Sequence, residues 1–262
     1  MRKLLIANRG EIARRIIRSA RAREIATVAV YSEIDARSLH VADADEAIAI
    51  GPAPARQSYL DAGKVVEAAT ASGADAIHPG YGFLSENAEF AEAVMDAGLI
   101  WVGPAPDTLR SMGDKDRARR IAASAGVPVV PGSPRIETGS KVDLEALARE
   151  VGFPLLVKSS AGGGGIGMRR VDSYDRLAET VSATASMAEK SFGDGTVFLE
   201  RFVPRARHVE IQVFGFGNGE AIHLFERDCS LQRRFQKVIE ESPAPKFTEK
   251  LRADMTAAAV AL

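Results

Sequence analysis

Lys158-Ser159-Ser160-Ala161-Gly162-Gly163-Gly164-Gly165-Ile166-Gly167-Met168 decides how the rest of the chain is read. Gly162, Gly164 and Gly167 satisfy the G-x-G-x-x-G spacing of a dinucleotide-binding turn, a weak signal when taken alone. Such a turn must open a helix, so that the helix N-terminus faces the pyrophosphate. Here Met168-Arg169-Arg170-Val171 follows, an extended pattern, and the first helix caps come later, at Asp172 or Ser173. The glycines therefore join two strands. A P-loop is excluded as well, because no Gly-Lys-Ser/Thr follows the run. What remains is a lid poor in side chains, whose backbone N–H groups can wrap phosphate oxygens, with Lys158 at its base. A lysine in the apolar run Pro154-Leu155-Leu156-Val157 is misplaced unless it meets an anion. That requirement sets a phosphate-binding lid above a plain solvent-exposed hairpin.

Working outward, the N-terminal part alternates short apolar runs with amphipathic helical patterns. Lys3 to Ala7 reads as a buried strand, and Ile12, Ala13, Ile16, Ile17 and Ala20 then share one helical face. Strands follow at Thr27 to Tyr31 and at Ala47 to Ile50, the second stopped by Gly51-Pro52. The pattern predicts a helix from Tyr59 to Ala71, a strand from Ala74 to Ile77, a helix from Glu86 to Ala97 and a strand from Leu99 to Val102. This is the alternation of βαβ units around a parallel sheet. Asn8-Arg9-Gly10 and His78-Pro79-Gly80-Tyr81-Gly82 fall in turns at the carboxyl ends of strands, where such sheets hold ligands. A Pro/Gly-rich connector, Gly126 to Gly139, is expected to separate this unit from the next. Beyond it come a helix (Asp143 to Glu150), the two hairpin strands, a long helix (Ser173 to Lys190) and a strand (Val197 to Phe202). A third segment holds strand-like runs at His208 to Phe214 and Ala221 to Phe225, then a helix from Thr248 to Leu262. That helix shows no glycine cap or polar tail, so the chain is expected to be an N-terminal fragment.

With 34 basic and 35 acidic residues the net charge is −1, so nothing points to nucleic acid or an anionic membrane as partner. No stretch approaches the ~20 apolar residues that span a bilayer. The apolar start meets Asn8-Arg9-Gly10-Glu11 too early for a signal peptide. A single cysteine, Cys229, rules out an internal disulfide and fits a reducing, cytoplasmic compartment. The four histidines show no metal-ligand spacing.

Several stretches, in one order along the whole chain, resemble the biotin carboxylase component of biotin-dependent carboxylases, an ATP-grasp fold. They are Ile6-Ala7-Asn8-Arg9-Gly10-Glu11-Ile12-Ala13, His78-Pro79-Gly80-Tyr81-Gly82-Phe83-Leu84-Ser85-Glu86-Asn87, Met112-Gly113-Asp114-Lys115, the glycine lid, Arg207-His208-Val209-Glu210-Ile211-Gln212 and Glu226-Arg227-Asp228-Cys229-Ser230-Leu231-Gln232-Arg233-Arg234. The resemblance implies an α/β architecture: a Rossmann-like N-terminal domain over residues 1–112, an ATP-grasp lid over 113–204 and the start of the main ATP-grasp domain over 205–262. It implies that Lys115 and Lys158 meet the nucleotide phosphates and that Gly164 and Gly165 close over them. Glu200, Arg201, Phe202 and Val203 would form the linker that holds adenine, with His208 near the ribose and the reaction centre. Lys237 and Gln232 would serve bicarbonate and biotin, alongside His208. The implied reaction phosphorylates bicarbonate with ATP to carboxyphosphate and carboxylates biotin, with Mg2+ (or Mn2+) assisting; phosphoryl transfer needs cations where charge accumulates. A biotinyl carrier domain and a carboxyltransferase would be the partners, in a homodimeric parent resembling acyl-CoA carboxylase alpha subunits.

Read without the resemblance, Lys115 is a solvated charge at a helix start and His208 a structural histidine. Tyr81 is expected to pack under its loop, and Cys229 to be a small buried side chain rather than a nucleophile. The chain departs from the family pattern at Ala161, where a lid glycine is common, and at Ile166, where a cation is. It departs again at Phe235, a position near the nucleotide that often carries histidine. The magnesium carboxylates, the base for bicarbonate and an arginine near biotin would all follow Leu262, so no metal ligand is assigned and these residues are expected to bind ATP without completing catalysis. Two rivals stand beside this reading: a nucleotide-binding module without catalysis and an NAD(P)-dependent oxidoreductase. The carboxyl acceptor is left open, pyruvate and urea carboxylases sharing the same component.

Overall fold

The computed structural model describes residues 1–160, 167–233 and 236–262, without the side chains of Lys115 and Asp116. They form two units, Met1–Gly113 and Asp114–Leu262. In the first, β1 (Lys3–Ile6), α1 (Gly10–Arg21), β2 (Ala26–Ser32), α2 (Leu39–Asp43), β3 (Glu46–Gly51), α3 (Ala62–Ala71), β4 (Ala76–His78), α4 (Ala88–Asp96), β5 (Ile100–Trp101) and α5 (Pro106–Gly113) succeed one another. The strands are parallel in the order β3-β2-β1-β4-β5. Because β1 is central, its alternate residues feed both faces. Leu4 and Ile6 pack with Ile16, Ile17 and Ala20 of α1, while Leu5 packs with Val65 of α3 and Phe90 and Val94 of α4. A strand covered on both sides must be apolar throughout, which is why Leu4-Leu5-Ile6 shows no polar alternation. The chain leaves β1 in one direction and β4 in the other, so a crevice opens between their carboxyl ends.

The second unit begins with α6 (Lys115–Ser124) and α7 (Leu144–Val151). Then come β6 (Leu155–Ser159), β7 (Met168–Val171), α8 (Leu177–Phe192) and β8 (Val197–Arg201), the strands forming an antiparallel sheet in the order β7-β6-β8. Leu155 and Val157 of β6 bury against Ala148 and Val151 of α7 and Leu177 and Val181 of α8. The Pro/Gly-rich stretch read as a connector belongs inside this unit instead. Ser133 and Ile136 donate their amides to Leu199 and Val197 of β8, and the Ser133 hydroxyl accepts from the Leu199 amide. Proline and glycine there interrupt helix but leave amides free to extend a sheet edge.

The remainder is a second antiparallel sheet, β11-β10-β9, formed by β9 (Val209–Gly215), β10 (Ala221–Arg233) and β11 (Gln236–Glu241), with α9 (Glu249–Ala261) packed on one face. Strand β10 runs eight residues past its expected end at Phe225, and β11 was not expected. Both carry a charged residue at nearly every polar step, which masks the two-residue period.

Candidate functional site

Strand β6 lies between β7 and β8, so Lys158 sits at the hairpin base with Met168 and Phe198 as its ladder partners. Residues after Gly167 enter a strand, not a helix, which is incompatible with a dinucleotide-binding βα turn. Gly167 has φ +85°, and a Cβ there would lie 2.4 Å from the Ser159 hydroxyl, so the first residue of the returning strand's approach favours glycine. The anion required for Lys158 is found in the protein: its ammonium lies 2.7 Å from Glu200 Oε1, and the two side chains are 19% and 22% exposed. Leu156 and Glu200 are register partners, which puts Glu200 on the same face as Lys158 one step along. Two residues singled out separately from the sequence thus form one partly buried ion pair.

The rest of the linker is placed as follows. Arg201 turns its guanidinium to the carbonyl of Val151 at the end of α7, 2.6 Å away. The Arg201 and Phe202 amides donate to Pro131 and Pro154, both at 2.9 Å, and Arg170 lies over the Phe202 ring. Val203 is exposed. Gly164, Gly165, Ala161, Ile166, Arg234, Phe235 and the Lys115 side chain lie outside the described residues.

His208, Gln232 and Lys237 meet on the sheet of β9, β10 and β11. Gln232 and Lys237 are register partners. The Gln232 amide nitrogen donates to the Cys229 carbonyl at 2.9 Å and to His208 Nδ1 at 2.6 Å. Arg207 donates to Asp228, and Ser230 accepts from the His208 amide, so the strand entry carrying His208 is pinned. Hydrogen bonds from Ser230 and Arg207 hold the Asp228 carboxyl down at about 2.

Glu210 organises this patch, and sequence reasoning gave it no role. It pairs with Lys237 and with Arg227. Burial would raise its carboxyl, but the hydrogen bonds from Lys237 and Arg227 outweigh that and hold it below its usual range. The same bond, ahead of desolvation, keeps the Lys237 ammonium protonated above its ordinary value. Cys229 is buried, and desolvation first of all raises its thiol, as suits an inert small side chain. The clue to Glu210 was available in Arg207-His208-Val209-Glu210-Ile211-Gln212, where it alternates with apolar residues on a strand.

Glu210, Cys229 and Glu240 also bring ligand atoms within 4.8 Å of one another. The Lys237 ammonium already bridges Glu210 and Glu240. A thiol, two carboxylates and a resident cation do not fit magnesium, which demands hard oxygens in an octahedron.

In the first unit, the crevice between β1 and β4 holds a cavity of about 440 Å3 lined by Asn8 to Ile12 and residues 81–83. Asn8 is buried and donates to the Pro79 and Tyr81 carbonyls, tying the two turns together. Tyr81 does not pack under its loop: it is 58% exposed, and its hydroxyl reaches out to Glu11. His40 and His78 play structural parts, His40 Nε2 on the Val30 carbonyl and His78 Nδ1 accepting from the Gly80 amide.

The family "Biotin carboxylase, N-terminal domain" matches residues 1–109, and "Carbamoyl-phosphate synthase L chain, ATP binding domain" matches 114–262. The chain is 52% identical over 261 residues to the mitochondrial methylcrotonoyl-CoA carboxylase subunit alpha of Glycine max, covering 98% of this chain and 35% of that protein. It is 52% identical over 254 residues to the biotin carboxylase of Allochromatium vinosum, covering 97% of this chain and 56% of that one. Among solved structures, the biotin carboxylase domain of Hydrogenobacter thermophilus 2-oxoglutarate carboxylase, a dimer with MgADP, ADP and bicarbonate, superposes with a TM-score of 0.92. That match is 43% identical and covers 99% of this chain and 57% of the other. The chain thus spans from about a third to just over half of these relatives. Two consecutive family matches, the first on the parallel sheet and the second on the glycine hairpin and the sheet after it, give the chain a biotin carboxylase N-terminal domain followed by an ATP-binding domain of the carbamoyl-phosphate synthase L chain family.

Proposed function

We propose that the complete protein carboxylates biotin with bicarbonate at the expense of ATP, through carboxyphosphate, and that this chain supplies its nucleotide-binding hairpin and part of its bicarbonate and biotin site. The observation that carries this reading is the Lys158–Glu200 pair at the base of the glycine hairpin. An ammonium so placed can exchange a carboxylate partner for a phosphate oxygen without leaving its strand, while Glu200 becomes free to accept from an exocyclic amine. Lys115 and the lid amides of Gly164 and Gly165 share the phosphate charge in this reading, and Arg201 to Val203 continue the adenine linker. Lys237, held charged by Glu210, offers an ammonium to the bicarbonate anion. Gln232, in contact with Nδ1, fixes the His208 ring beside it. Magnesium, when bound, would neutralise phosphate charge and orient the transferring group. The domains run 1–112, 113–204 and 205–262 in this proposal.

The relatives are carboxylase components, and we extend the reading to an acyl-CoA carboxylase of the cytoplasm, acting with a biotinyl carrier domain and a carboxyltransferase as a homodimer. Among the described residues no helix is long and apolar enough to cross a membrane. The test has two arms. Calorimetric titration of the 262-residue chain with ATP should show one site, and the complete protein should release phosphate from ATP only with bicarbonate and biotin both present. ATP binding without that dual dependence would leave a nucleotide-binding module and sink the carboxylase assignment.

A further inference from the structure

Four loops at the carboxyl edge of the parallel sheet converge on one guanidinium. Arg9, in the turn after β1, lies with its guanidinium carbon 5.3 Å from the Tyr59 ring centre and 5.5 Å from that of Phe83. The two rings stack, 5.1 Å apart and 10° from parallel. Asp35, in the turn after β2, accepts from Arg9 at 3.1 Å, from the Tyr59 hydroxyl at 2.7 Å and from the Ser32 hydroxyl at 2.9 Å. The Tyr59 oxygen in turn accepts from the Ser32 amide. The carboxylate is 16% exposed, so water screens it weakly. Phe83 packs against the sheet core as well as on Tyr59, yet its backbone sits at φ +43°, a left-handed conformation that a bulky residue avoids. Such strain persists where the surroundings over-determine it, and it concentrates at ligand sites. Phe83 forms one wall of the cavity at the switch point, together with Tyr81 and Gly82.

We propose that Asp35, which does not itself line this cavity, is a positioning residue for it: through Arg9 and Tyr59 it holds Phe83 in its strained conformation and so fixes the wall formed by residues 81–83. A cation spread over two stacked rings keeps its orientation only while a charge partner fixes it, and neither ring supplies that direction. Arg9, already committed to Asp35, adds little free positive charge to the cavity, so the site is shaped by surface rather than by attraction to an anion.

Asp35→Asn preserves size and hydrogen bonding to the hydroxyls but removes the negative charge that faces Arg9, and Asp35→Glu serves as the conservative variant. Hydrogen exchange on the 262-residue chain reports the effect. The Ser85 amide, bonded to the Gly82 carbonyl, should exchange roughly ten-fold faster in Asp35→Asn, as loss of one charge-assisted bond predicts, while amides of β1 and β4 stay as they were. Asp35→Glu should restore slow exchange. Uniform acceleration across the sheet, or none at Ser85, would overturn the assignment and leave Asp35 as a plain stabilising residue. A second arm rests on the proposed function. In the complete protein, Asp35→Asn should raise the KM of one substrate, ATP or free biotin, with the other KM and kcat changed less than two-fold or so. Equal changes in both KM values would count against positioning. If the unsubstituted protein shows no biotin-dependent ATP cleavage, the proposed function fails, while the exchange measurement still decides the role of Asp35.

Discussion

At the scale of single residues, Lys158 and Tyr59 illustrate two uses of a buried polar contact. Lys158 has its anion in Glu200, yet that pair keeps about a fifth of each side chain in contact with solvent, leaving room for a ligand oxygen. Lys158→Met should weaken ATP binding about ten- to a hundred-fold, the value of one charge-assisted contact. Glu200→Gln should cost less, because the ammonium survives to meet phosphate. Calorimetry on both variants checks the order, and a larger loss in Glu200→Gln would mean that the pair, not the ammonium, makes the site. Tyr59 is 1% exposed, and burial first, then the hydrogen bond to Asp35, pushes its hydroxyl from 10.0 up to about 12. A folded value above the unfolded one means stability that is complete below pH 10 and is lost as pH rises from 10 to about 12. A two-unit shift corresponds to about 3 kcal/mol at most. Urea melts across that window should therefore steepen in their loss of stability for the natural chain and flatten for Tyr59→Phe. Parallel curves for the two would remove Tyr59 as the titrating group.

At the scale of elements, the docking of α9 on the β9–β11 sheet turns on one buried carboxylate. Glu226 of β10 is fully buried and accepts from Nε and Nη2 of Arg252 and from the Ala244 amide. The bond from Arg252, ahead of the opposing desolvation, keeps the Glu226 carboxyl below its usual 4.5. Its contribution is thus present above pH 4.5 and lost as pH falls through the folded value. Arg252→Met leaves that charge unpaired in the interior and should cost about 3 kcal/mol in chemical denaturation near neutral pH. Loss of under ~0.5 kcal/mol, the range of an ordinary surface change, would show that water reaches the site. Elements like these differ in how far the sequence announces them. The parallel sheet was readable because Leu4-Leu5-Ile6 and Val28-Ala29-Val30 are buried on both faces, and the glycine hairpin because Met168-Arg169-Arg170-Val171 cannot open a helix. Strand β11 was hidden because Gln236-Lys237-Val238-Ile239-Glu240-Glu241 is exposed throughout. The pairing of Lys158 with Glu200 and of Lys237 with Glu210 was equally hidden, since each joins residues of different strands whose register no local pattern states.

At the scale of the whole chain, most apolar surface is absorbed by three cores, one on each face of the parallel sheet and one in the second unit, but the last sheet keeps much of its own outside. Helix α9 covers one side. Elsewhere on the sheet and its turns Phe214, Leu224, Phe225, Leu231, Val238 and Ile239 are each more than half exposed. Phe214 and Ile222 are register partners, as are Leu231 and Ile239, so these side chains gather in pairs on common faces rather than scattering. Contiguous apolar patches of this kind mark surfaces that associate, whereas isolated exposed leucines do not. The edge strand β11 offers a second route, although Lys237, Glu240 and Glu241 oppose pairing there by their charge. Association through side chains on the sheet should therefore outrun strand addition at its edge. The 262-residue chain is expected to sediment as larger species with rising concentration and to bind a hydrophobic dye, and Phe214→Lys combined with Leu224→Lys should reduce both effects together. Added salt should not disperse the assemblies, because apolar contact rather than charge holds them. A chain that stays monodisperse and silent to the dye at high concentration would mean that the exposed rows are too interrupted by Gln212, Glu220 and Arg227 to act as one surface.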